Sequence, residues 1–214
     1  MSLRDTLEFL ALAAVWGASF LFMRVAAPEF GPIPLMLVRC AIGALTLLAV
    51  LAYLGRLSGL RANAGKLLAI GVLNSAVPFV LLGYATLSLT AGVTSILNSL
   101  APLWSALIAF FWLGDRLTRL QVLGLACGVI GVGVLVGGGG GGSAAGGSLA
   151  ARLMPFAAGI LATVFYGIAA NAARRYLVGV PPLATATGSQ IGASAALLLP
   201  GLLLWPQASA TSAA

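Results

Sequence analysis

Residues Asn98–Val136 read NSLAPLWSALIAFFWLGDRLTRLQVLGLACGVIGVGVLV. A long uncharged apolar run is followed by a short charged turn, Gly114-Asp115-Arg116-Leu117-Thr118-Arg119, and by a second run of Ala, Gly, Val and Leu. Only the turn is suited to water. The stretch therefore reads as two membrane-crossing helices joined on one face of a bilayer. The rest of the chain looks like more of the same unit.

Composition agrees. Apolar residues make up 61% of the chain and charged residues 7%, against roughly 25% charged in a soluble domain. No Asp, Glu, Lys or Arg occurs from Leu67 to Gly114. A spanning helix needs about 20 apolar residues, so this run holds two. Lipid offers backbone N–H and C=O groups no partner, which favours helices. A β-barrel needs alternating apolar and polar positions, and the sequence does not alternate. The net charge of +7 comes without a basic run, so nucleic acid is not the expected partner; the lipid bilayer is. Cys40 and Cys127 each lie in an apolar run and read as small buried thiols. The chain has no histidine, so imidazole chemistry is excluded, and neither a cofactor nor a metal is expected.

Seven spans are expected, at 7–27, 34–54, 66–89, 91–113, 120–136, 153–176 and 183–204. The fold class is an all-α polytopic membrane protein. A signal-peptide reading of the first run competes, but a related segment recurs far from the N-terminus. With the N-terminus on one face, that face collects Arg4, Arg56, Arg61, Lys66, Arg116, Arg119, Arg174 and Arg175; the other collects Arg24, Arg39 and Arg152. The positive-inside rule makes the first face cytoplasmic. The expectation is a multi-pass protein of the inner cell membrane with a cytoplasmic N-terminus. Arg24 and Arg39 read as snorkelling outward, or, for Arg24, as a charge partner in a central cavity.

The glycine- and serine-rich residues 137–150 read as a linker between a first unit, 1–136, and a second, 151–214. A shift of 150 positions lays Trp16-Gly17 on Tyr166-Gly167, Arg24 on Arg174, and Pro32 on Pro182. Five spans precede the linker, so the second unit enters from the opposite face. The architecture expected is a five-helix repeat plus the start of an inverted second repeat, an arrangement common in secondary transporters.

A shorter echo lies inside the first unit. Asn74-Ser75-Ala76-Val77-Pro78 matches Asn98-Ser99-Leu100-Ala101-Pro102. Proline leaves the carbonyl four residues back without its donor, and that residue is asparagine both times. Each proline lies about 12 residues from the turn between the two spans, roughly 18 Å deep at ~1.5 Å per residue. Two readings stand: broken helices lining a midplane site, or ordinary kinks whose Asn and Ser bond neighbouring helices. On the first, the substrate-binding candidates are Asn74, Ser75, Asn98 and Ser99, joined by Trp16, Ser19, Tyr84, Tyr166 and Asn171. Aromatic walls with a few amides and hydroxyls suit an amphipathic solute. Gly124, Gly128 and Gly131 form a small-residue face for helix packing.

The chain resembles the EamA-type branch of the drug/metabolite transporter superfamily. The resemblance rests on Ala101-Pro102, the hairpin Leu113–Thr118, Gln121, Gly124, Gly131-Val132 and Leu37-Val38-Arg39, with Asp115 where the family usually has Glu. It implies ten spans in two inverted halves, a central cavity, and export or exchange of small metabolites. Seven spans suggest a truncated form, or one completed by a second copy or a partner supplying the missing helices. The leading expectation is a secondary transporter of small organic solutes using alternating access; the alternative is a truncated non-transporting module or partner subunit. An enzyme is not expected.

Overall fold

The computed structural model describes residues 2–137 and 148–206. Most of the expected linker, and the tail beyond 206, lie outside them. Seven helices are long and apolar enough to cross a membrane, and each falls on an expected span. The described residues form an all-α polytopic membrane protein.

The first span, Leu3–Phe30, starts at a capping box in which Ser2 and Asp5 satisfy each other's backbone N–H groups. The sequence suggested a turn from Pro28; instead the helix runs through Pro28 and stops at Gly31, whose φ of 78° suits only glycine. A proline in the last turn removes one bond near a helix end that is fraying anyway. The second span, Pro32–Tyr53, begins on a proline, where a missing N–H costs nothing. A single helical turn, Ser58–Ala62, leads to the third span, Ala64–Thr86. The fourth, Ala91–Leu113, ends on left-handed Gly114. The fifth, Arg119–Gly137, starts at a second capping box: the Thr118 hydroxyl accepts from the Gln121 N–H, and the Gln121 side chain accepts from the Thr118 N–H. The sixth helix is Leu149–Tyr176 and the seventh Pro182–Leu203. The second and seventh are both 22 residues long and begin and end 150 positions apart.

Glycine sets the packing. The seventh span lies backbone to backbone on the third: a Cβ added at Gly71 would stand 2.3 Å from the Ser189 carbonyl oxygen, and one at Gly192 2.5 Å from that of Leu68. The fourth span meets the sixth at Gly167, where a Cβ would stand 2.9 Å from the backbone of Trp104 and Ser105. The fifth buries no residue; its Gly124 and Gly128 receive Leu103 and Leu100 of the fourth, the packing expected of a small-residue face. Large apolar side chains such as Phe22, Ile42, Leu45, Phe111 and Ile130 point outward, as lipid allows. The core of Met36, Leu37, Cys40, Leu82, Ala162 and Ala193 joins the second, third, sixth and seventh spans.

Candidate functional site

Both Asn-Ser-x-x-Pro segments break the regular helix. In the third span, Val72–Ala76 forms a π turn, with the Val77 N–H bonding the Val72 carbonyl. In the fourth, the helix stops at Asn98, turns at Ser99-Leu100 and resumes at Ala101. Ser75 sits at the centre of its 23-residue span and Pro102 at the centre of its own. Two buried side-chain atoms among the described residues lack any hydrogen-bond partner, Ser75 Oγ and Asn98 Oδ1. One comes from each segment. An unmet buried acceptor or hydroxyl carries a desolvation penalty of about 1–3 kcal/mol, so each break holds one polar atom that the fold leaves uncompensated.

Pockets lie on either side of this level. Toward the Gly31 face, the first two spans form an outward-open groove of about 340 Å³ lined by Ser19, Phe22, Met23, Leu35, Met36 and Arg39. The Arg39 guanidinium stands 4.2 Å above the Phe79 ring, and Phe79 meets Tyr166 edge to face at 6.4 Å. Toward the Gly114 face, about 420 Å³ is lined by Pro102, Ser105, Gln121, Asn171, Asp115 and Arg174. Asn171 Nδ2 donates to the Ser105 carbonyl (2.9 Å), the Gly167 carbonyl (2.8 Å) and Ser105 Oγ (3.3 Å). Arg174 pairs with both carboxylate oxygens of Asp115, at 2.5 and 3.4 Å, which ties the hairpin between the fourth and fifth spans to the end of the sixth. The sixth span lines the second pocket through Ala170, Asn171 and Arg174, and its Tyr166 packs on Phe79 behind the first.

The nine candidate residues do not share one cavity. Ser19 and Tyr166 belong with Arg39 and Phe79. Asn171 lies in the opposite pocket. Asn74 and Ser75 lie inside the bundle, half-buried and buried. Ser99 donates to the Ile96 carbonyl (2.6 Å) and faces an apolar groove against the fifth span, while Asn98 is half-buried beside it. Trp16 and Tyr84 are 53% and 41% exposed and line neither pocket. Arg24 does snorkel, donating to the Thr86 and Leu87 carbonyls at the end of the third span. Arg39 does not; it lies sideways over Phe79. Sequence reasoning passed over Phe79, Ser105 and the Asp115–Arg174 pair. Phe79 directly follows Pro78, and Arg39 is the only charge in the second span; those two signals were available.

Relatives give the arrangement a context. A transporter of unstated substrate from Archaeoglobus fulgidus is 30% identical over 120 residues, covering 56% of this chain and 43% of that protein. A protein from Streptantibioticus cattleyicolor named a probable terminal-alkyne amino-acid exporter is 28% identical over 136 residues, covering 63% and 46%. Protein PecM of Dickeya dadantii is 30% identical over 104 residues, covering 48% and 35%. The chain thus spans less than half the length of these relatives. No solved structure matches it. The EamA-like transporter family matches residues 7–137, more than half of the chain, with both polar kinks and the Asp115 hairpin inside the match; the chain belongs to the EamA-like transporter family.

Proposed function

We propose that this chain moves small organic solutes across the inner cell membrane as a secondary transporter, with its N-terminus in the cytoplasm. The observation that carries the reading is the pair of unpartnered buried polar atoms, Ser75 Oγ and Asn98 Oδ1, at two helix breaks midway through the bundle. Helix breaks beside a cavity are the usual construction of a midplane solute site. Two pockets on opposite sides of that level, one between the first two spans and one reaching the sixth span, suit access from one face at a time. The first unit and the inverted start of the second supply the two rocking parts. The name of the Streptantibioticus relative supports export as the direction. No acidic residue lies at mid-depth: Asp5, Glu8, Glu29 and Asp115 sit at or near the faces. That favours exchange or uniport over a carboxylate proton relay.

The test is flux. Protein reconstituted in vesicles preloaded with a labelled metabolite mixture releases a subset faster than empty vesicles do, and Asn98→Ala lowers that release without loss of insertion. Correctly inserted protein that moves no solute contradicts the proposal.

A further inference from the structure

Arg39 carries a charge inside the second span, and nothing among the described residues neutralises it. Met23, Arg39 and Phe79 each lie seven residues inside the Gly31-face ends of their spans, Phe30, Pro32 and Thr86. At ~1.5 Å per residue all three stand about 10 Å deep. The guanidinium therefore lies level with its own Cα, over the Phe79 ring rather than toward the headgroups, and stays exposed in the groove between the first two spans. Its neighbours are the Phe79 ring at 4.2 Å and the Met23 sulfur at 4.0 Å. Neither is anionic. Asp5 is bonded in the first cap, Glu8 pairs with Arg4, Asp115 pairs with Arg174, and Glu29 forms no ion pair. Stacking on Phe79 satisfies one face of the guanidinium and leaves its N–H edge for an acceptor. Arg39 lines the 340 Å³ groove, whose other walls, apart from Ser19, are apolar.

We propose that Arg39 is the anion-binding group of this pocket and takes the oxyanion head, a carboxylate, of an amphipathic solute. The apolar body lies along Phe22, Met23 and Leu35, and Ser19 offers one further hydroxyl. A planar guanidinium matches a carboxylate with two parallel hydrogen bonds. The pocket contains no acid, so a cationic group on the solute finds no counter-charge there. The inference deepens the transport reading by naming the solute class, yet it is a statement about binding and can stand or fall alone. A lipid phosphate presents the same oxyanion chemistry and is the competing occupant.

The experiment is calorimetric titration of the protein in nanodiscs of zwitterionic lipid, with phenylacetate and its neutral isostere phenylacetamide as probes. Phenylacetate is expected to bind and phenylacetamide to bind far less. Arg39→Gln weakens phenylacetate about 10- to 100-fold, the value of a charge-assisted bond, and leaves phenylacetamide unchanged. Arg39→Lys keeps part of the preference, because it keeps charge and loses the fork. The preference of the wild type is informative even if a variant fails to fold. Equal binding of the two probes, or no binding of either, overturns the proposal. So does phosphatidylglycerol held by the wild type and lost from Arg39→Gln in native mass spectrometry with phenylacetate ignored; that result assigns the anion to lipid. Binding with the expected preference but no vesicle flux sinks the transport reading and leaves the site. Flux of neutral solutes with no preference for carboxylates does the reverse.

Discussion

Gly17 and Gly167 occupy equivalent positions of the 150-residue shift, and the structure gives them opposite surroundings. A Cβ built on Gly167 meets Ile108 Cδ1, the Ser105 nitrogen and the Trp104 carbonyl carbon, all at 2.9 Å. Two of these are backbone and cannot rotate away. A Cβ on Gly17 meets nothing within 4 Å. Alanine at either site gains the same helix propensity, up to about 1 kcal/mol. Their difference therefore isolates the cost of forcing the fourth and sixth spans apart. Overpacking of this kind costs about 1–3 kcal/mol, and moving the spans also lengthens the Asn171–Ser105 bonds, 2.9 and 3.3 Å here. Gly167→Ala is expected to be less stable than Gly17→Ala by about 1–3 kcal/mol, with Gly17→Ala neutral or slightly stabilising. Reversible unfolding in mixed micelles, followed by tryptophan fluorescence, measures both. Equal stabilities would refute the close approach of the fourth and sixth spans.

Gly71→Ala, whose Cβ would stand 2.3 Å from the Ser189 carbonyl oxygen, should lower the unfolding midpoint by more than Gly167→Ala in the same assay. Ser75→Ala removes a buried hydroxyl that has no partner, so stability should hold or rise while vesicle flux falls; a drop in stability would reveal a bond the fold already makes. With Cys40 and Cys127 replaced by serine, Ala62→Cys, exposed at the end of the helical turn before the third span, should react with an impermeant maleimide only from the cytoplasm. Labelling from outside reverses the assigned orientation.

The seven spans were legible because membrane insertion is a local decision, read from runs of about 20 apolar residues. The breaks at Asn74–Pro78 and Asn98–Pro102 were legible for a similar reason: a missing N–H acts on its own helix. Which way each side chain faces was not. Trp16 and Tyr84 have the composition of cavity walls but point away from both pockets, because helix rotation is set by contacts with distant spans. Those contacts are made at Gly71, Gly167 and Gly192, where small residues admit a neighbouring backbone, and no local pattern names the neighbour. The turn of Arg39 toward Phe79 depends on the second and third spans meeting at equal depth, a fact of topology rather than of either sequence. Arg24, close to a span end, was predictable because the polar boundary itself attracts a guanidinium.

The central claim is that the helix breaks open onto a path that polar solutes enter. Asn98→Cys, in a background with Cys40→Ser and Cys127→Ser, tests it in native membranes. Its rate of modification by a charged, water-soluble methanethiosulfonate is the quantity to measure. The account predicts modification at a rate well above that of a lipid-facing control, Ile130→Cys, and protection by a transported solute. An Asn98→Cys variant as inert as the control would contradict it.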